Sequence, residues 1–185
     1  MKGRSLTDTT PEDPGLFNLL LRYAEASESA ESIPAEVVKR GIASSDIVTN
    51  GLVFEILHSP ALYQRIAPPL TLDDFQILHI KYLPRCMKER RDSEWRLSPY
   101  LAAHALARWF LHLWRDGQEH LKFLTDWKDA LGQLFIEGGS EVRDCVVCGV
   151  LEHLFGNQTI RDFFSDWKNH PVLHDAYSDA VGMVS

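Results

Sequence analysis

Cys145-Val146-Val147-Cys148, followed by His153, is the segment with the most obvious chemistry, because a C-x-x-C can hold a metal or a redox disulfide. Redox pairs stand at a helix start after a strand, and structural zinc needs a second pair of ligands. Here both thiols fall inside an apolar run without a second pair, so they read as core cysteines, and neither metal nor cofactor is expected. His170 and His174 share the i, i+4 spacing of a metal-binding helix, with Asp175 beside them. His170 precedes Pro171, however, which places it at an N-cap, and no glutamate stands where a zinc-protease motif requires one. Both imidazoles are expected to cap or to face solvent. His58, His79 and His120 show no usable partner spacing.

Two charge patterns carry more information. His104, Arg108, His112 and Arg115 recur at intervals of 4, 4 and 3 residues and draw one polar stripe along an otherwise apolar run. The stripe reads as the wet edge of a central helix, as a partner for acids on a neighbouring helix, or as a cationic groove for an acidic ligand. From Asp116 onward, 12 acidic and 5 basic residues leave a balance of −7, the formal charge of the whole 185-residue chain. Asp126, Asp129, Glu137, Glu141, Asp144, Asp162 and Asp166 all fall on non-apolar faces of consecutive helices. Such a face solubilises the protein, or it steers and holds a basic partner. Asp126, Asp129, Glu137, Glu141, Asp162 and Asp166 are the candidate partner-binding residues. Trp127 and Trp167 would strengthen that surface if exposed, but periodicity puts both on the buried side. A pI near 5.6 argues against a nucleic acid or anionic lipid partner. No glycine-rich phosphate loop, G-x-S-x-G or H-E-x-x-H occurs, so no catalytic residue is assigned and a non-catalytic protein is expected.

The elements that must position these residues read as helices. Leu16, Leu19, Leu20 and Tyr23 mark the first, Ser27 to Ser32 is linker-like, and Pro34 opens a short helix to Arg40 with Gly41 beyond its end. In Ser45 to Leu57 the Asn50-Gly51 pair is a hairpin signal. Ile47, Gly51, Phe54 and Leu57 keep helical spacing behind Ser45 or Asp46 as cap, and a helix is the preferred reading. Pro60 and Pro68-Pro69 bracket a helical turn around Leu62 and Ile66. Thr71 and Asp74 form a capping-box-like start for a helix bearing Phe75, Leu78, Tyr82 and Cys86, which Pro84 should kink or break before a charged, exposed stretch from Arg85 to Arg96.

From Leu97 the signals sharpen. Ser98 and Pro99 open a central helix that runs to Trp114 and closes at Asp116-Gly117, and Leu121 to Leu134 mark the next, ending at Gly138-Gly139. Ser140 caps a broadly apolar helix ended by Gly156, in which Gly149 suggests a close helix-to-helix approach. Asn157 caps a shorter helix with Ile160, Phe163, Phe164 and Trp167, and Pro171 starts the last, closed by Gly182. Phe123 to Lys128 and Phe163 to Lys168 echo one another 40 residues apart, a period that suits helical-pair repeats and equally suits two unrelated helices anchored by tryptophan. The expected fold is therefore all-α, a compact antiparallel multi-helix array, with HEAT-like repeat character left open for the C-terminal half. A tail at 1–13, an N-terminal helical section at 14–96 and a C-terminal section at 97–185 are expected to pack as one domain. Three cysteines without a secretory leader point to the cytoplasm, and no apolar run is long enough for a membrane span.

Ser140-Glu141-Val142-Arg143-Asp144, Val147 to Leu154, Ile160-Arg161-Asp162 and Pro171-Val172-Leu173 resemble a widespread bacterial family of small helical domains of unknown function. Members are often read as immunity proteins that accompany polymorphic toxins. The resemblance covers a quarter to a half of the chain, and its motifs are packing motifs with no catalytic residues to carry over. It implies a cytoplasmic protein that covers the active site of a cognate toxin. If that toxin is a nuclease, its basic substrate groove would receive the acidic helices. The alternative is a small helical ligand-binding protein or enzyme that uses the stripe from His104 to Arg115.

Overall fold

The computed structural model describes residues 11–26, 30–89 and 96–184. The expected tail, part of the linker-like patch and residues 90–95 therefore lie wholly or mostly outside the described residues. The protein is all-α, apart from two short extended pieces among the described residues. It divides into two compact units, one of Met1–Leu78 with Arg91–Arg96 and one of His79–Arg90 with Leu97–Ser185.

In the first unit, Asp13 caps α1 (Pro14–Glu25) by accepting a hydrogen bond from the Leu16 amide at 3.0 Å. β1 (Ile33–Pro34) leads into α2 (Ala35–Ala43) and pairs in parallel with β2 (Ile66–Ala67), which follows α3 (Ile47–His58) and α4 (Pro60–Tyr63). Ile66 thus belongs to an extended pair and not to the helical turn around Leu62. The Asn50-Gly51 signal does not make a hairpin. Asp46 caps α3, accepting from the Val48 and Thr49 amides at 3.3 and 2.9 Å. Asn50 is fully buried and donates to the carbonyls of Gly41 at 2.8 Å and Ser44 at 3.2 Å, so its amide serves the open end of α2. Gly41 lies inside α2 rather than beyond it, because that helix continues three residues past its expected end at Arg40 and packs on α3 there.

α5 (Leu72–Lys88) starts with the expected reciprocal cap between Thr71 and Asp74, at 2.9 and 3.3 Å. It contains Pro84 and does not end there. Leu83, Cys86 and Met87 are buried around that proline, and their packing outweighs a helix-interior cost of about 3 kcal/mol. The expected exposed continuation is accordingly half wrong at its start.

The second unit is built on α6 (Pro99–Asp116), capped by Ser98 and ended by Gly117 at φ 101°, a conformation that favours glycine. α7 (Leu121–Glu137) follows, then a continuous run of α8 (Ser140–Val146), a π-turn (Val147–Leu151) and α9 (Glu152–Phe155). α10 (Gln158–Phe163), a 3-10 turn (Ser165–Asn169) and α11 (Leu173–Met183) complete it. Phe110 on α6 is fully buried, with ring centroids 4.8 Å from Trp127 and 6.0 Å from Phe164. The two echoing segments adopt different backbones: Phe123 to Lys128 is interior α-helix, whereas Phe163 to Lys168 straddles the end of α10 and the 3-10 turn. What they share is a buried tryptophan anchor.

A Cβ on Gly41 would stand 2.4 Å from Val53 Cγ2 and 3.0 Å from Leu20 Cδ1, both side chains fully buried. Valine is stiff at χ1 and cannot swing aside. Gly41→Ala should therefore lower stability by about 1–3 kcal/mol, against a helix-propensity gain of about 1 kcal/mol. Urea unfolding followed by circular dichroism reads it, and Val53→Ala in the same chain should cost less than the two changes summed.

Candidate functional site

A cleft of about 710 Å3 lies in the second unit. Phe135, Gly138 and Gly139 bring the end of α7 to it; Ser140, Arg143 and Asp144 come from α8, Val147 and Cys148 from the π-turn, and Asp175, Asp179 and Met183 from α11. A close approach sets the position of that π-turn. A Cβ on Gly149 would lie 2.6 Å from the Cβ of Ala103, so the turn packs directly on α6 as its glycine suggests. One extra residue in the turn shifts the register of the side chains that follow, a common feature of π-bulges at functional positions.

Charge in the cleft is unbalanced. Its cation, Arg143, donates from Nε to the Phe135 carbonyl at 3.1 Å and from Nη2 to the Ile136 carbonyl at 3.4 Å, closing the end of α7. Asp144 and Asp179 form no ion pair among the described residues, and Asp175 faces only His174, at 3.6 Å. Burial raises the Cys148 thiol above its ordinary value, and the carboxylates of Glu152, Asp144 and Asp179 raise it further. Cys145 is raised by burial first and by Glu141 and Asp144 next. Cys145 is buried in the core as expected, whereas Cys148 is only half-buried and opens on the cleft, so the expectation of two core cysteines fails for the second; among the described residues no group of three metal-ligating side chains converges.

The six acids singled out in the sequence are exposed, but the structure uses several of them internally. Asp166 accepts from the Lys128 ammonium at 2.9 and 3.0 Å; Lys128 is buried, donates also to the Phe163 carbonyl at 3.2 Å, and lies 4.8 Å over the Phe163 ring. Glu137 is held below its ordinary carboxylate value by the Gln133 amide and then by the Lys88 ammonium. Asp126 stands 3.9 Å from Lys122, and Asp162 accepts from Gln158 at 2.8 Å. Asp129 and Asp166 share a smaller cleft of about 290 Å3 with Lys128, Trp167 and His170. Asp126, Glu137, Glu141 and Asp162 line neither cleft.

His104, Arg108, His112 and Arg115 are all exposed along α6, so the stripe is its solvent edge. His104 stacks obliquely on His153 with ring centroids 4.5 Å apart, and His112 faces Asp116 at 3.6 Å. None of the four lines a cleft described here. His170 acts as the expected cap: Nδ1 accepts from the Val172 and Leu173 amides at 3.2 and 3.1 Å. Asp175 and Asp179 were missed as a pair; their i, i+4 spacing on α11 was a signal that could have found them. His79 was also missed, buried and stacked on Trp109 with centroids 4.3 Å apart. No family model, no curated protein and no solved structure matches this chain.

Raised thiols make stability depend on alkaline pH. A thiol whose folded value lies above its unfolded one stabilises fully below the unfolded value, and that contribution is lost as pH rises through the folded value. The melting temperature should thus fall from about pH 8.5 upward, and Cys145→Val should flatten the fall. Removing the Lys128 ammonium should cost about 2 kcal/mol through the freed Phe163 carbonyl and lost packing, measured as Lys128→Ala in urea. Asp129→Ala, lacking such a role, should leave stability within about 0.5 kcal/mol.

Proposed function

We propose that this is a non-catalytic binding protein: an immunity protein that neutralises a cognate bacterial toxin by covering its active site with the acidic helices of the second unit. The observation that carries this reading is where the cations go. Four of the five cations from Asp116 onward are engaged: Lys122 stands by Asp126, Lys128 is buried against Asp166, Arg143 is bonded to two carbonyls, and Lys168 lies 5.1 Å over the Tyr177 ring, while Arg161 is half-buried. Asp129, Asp144, Glu152, Asp162 and Asp179 are left exposed without a cation among the described residues. That distribution suits steering towards a basic surface, such as the substrate groove of a nuclease, in place of a phosphate backbone. The absence of recognisable catalytic motifs in the sequence and its resemblance to immunity domains support the same reading, and a cytoplasmic site of action follows from it.

The test is capture of a protein from lysate of the native host on the tagged chain, washed at low and then high salt. One stoichiometric partner, loosened by salt, is expected. Asp129→Lys with Asp162→Lys should weaken capture at least about tenfold while the helical circular dichroism stays unchanged. Asp166 is left out of that variant because it holds Lys128. A protein that captures nothing, and instead gains melting temperature from nucleotides or other anions, would overturn the reading in favour of a ligand site on the α6 stripe.

A further inference from the structure

We propose that His104 and His153 together chelate a divalent transition metal ion, of the class of nickel, copper or zinc, between α6 and α9. The site needs no partner protein and no acidic face, so it stands apart from the toxin-blocking function.

The two imidazoles come from helices that are fixed against each other. Gly149 of the π-turn lies on Ala103 of α6, where a Cβ on the glycine would stand 2.6 Å from that of the alanine. His104 is the residue after Ala103, and His153 follows Gly149 by four positions, about one helical turn. Their rings meet with centroids 4.5 Å apart and planes inclined at 45°, and both side chains are exposed. The other imidazoles are engaged elsewhere. His58 bonds the Phe54 carbonyl, His170 caps α11, His79 is buried, and His112, His120 and His174 each face a carboxylate at 3.6 Å. His104 and His153 form no hydrogen bond or ion pair among the described residues, so their ring nitrogens are open to a ligand.

The ring separation suits chelation. A histidine nitrogen stands about 2.0–2.1 Å from zinc with the ring in line behind it, which puts the ring centre about 3.2 Å from the metal. Two rings 4.5 Å apart then subtend about 90° at one ion. That is the angle between adjacent ligands in square-planar or octahedral coordination, the geometries of copper and nickel, and zinc is met when the rings open by less than about 1 Å. The χ2 torsion of histidine is broad, so each exposed ring can turn a nitrogen to the common point without moving the core. The helices are already held together, and binding has only two rings to order. No third ligating side chain converges among the described residues. Water completes the coordination, which makes this an exchangeable site rather than a structural one with four protein ligands.

The test uses the full chain and the metal alone. Ni2+ titrated into 15N-labelled protein should broaden the amide signals around His104 and His153 first, and Zn2+ should raise the melting temperature with its concentration. Mg2+ at the same concentration should do neither, because it takes oxygen ligands. His104→Ala and His153→Ala should each weaken Ni2+ binding at least about tenfold, the loss expected when a chelating pair becomes one ligand. His174→Ala and Cys148→Ser should leave it within about twofold. Circular dichroism checks the fold of each variant, and His153→Gln is read in place of any alanine variant that loses helicity. Broadening centred on His112, His174 or the cysteines, an equal response to Mg2+, or undiminished binding in the His104 and His153 variants would show an adventitious ion only and overturn the site.

Discussion

Gly149 packs directly on Ala103, where a Cβ on the glycine would stand 2.6 Å from that of the alanine. No larger side chain fits at either position without moving α6 or the π-turn, because interiors are packed to crystal-like density. The consequence reaches the surface. With the π-turn seated on α6, Val150, Leu151, Leu154 and Phe155 fill the core, while Val147 and Cys148 at the start of the turn open on the cleft. α11 then closes over the other side, its Tyr177 ring 5.1 Å from Phe155, and carries Asp175 and Asp179 to the same opening.

Electrostatics follow from that packing more than from composition. The charge of −7 from Asp116 onward describes a sum, and sums do not locate a site. Lys128 shows how a cation can vanish from the surface: ring faces and a backbone carbonyl take up its head, and Asp166 pairs with it while staying exposed. Arg143 shows a second route, through the unpaired carbonyls that any helix end leaves. Each ties a cation to the fold, although Arg143 stays exposed at the cleft, and neither takes up a carboxylate beside α11.

Much of the helical scheme was legible because caps and terminators are local chemistry. Asp46, Ser98 and Asn157 are side chains that accept from amides two or three residues ahead, each at an expected cap, whereas Asp13, expected in the tail, caps α1, and Ser140, expected as a cap, lies inside α8 behind Gly139. α3 was ambiguous for a physical reason: only Glu55 and His58 of its twelve residues are exposed, so it has no polar face to set a period. The β1 and β2 pair, with two residues in each strand joined across 32 positions, left no local signal at all. The site was the least legible part. Exposed carboxylates were found by periodicity, but which of them keep free charge depends on tertiary partners such as Lys88 for Glu137.

The two clefts make that dependence concrete. Asp129 and Asp166 share the smaller one with Lys128, whose ammonium lies between carboxylate, carbonyl and ring, so Asp166 is matched from within and Asp129 is not. The larger one contains a cation as well, yet Arg143 is bonded to the end of α7, Asp144 and Asp179 form no ion pair among the described residues, and Asp175 faces His174. A basic partner gains most where its charge replaces no internal one, since displacing Lys128 would strand a buried ammonium at a cost of several kcal/mol. Clefts of similar acid content thus differ in what they can receive, and the difference lies in the hydrogen bonds of one arginine.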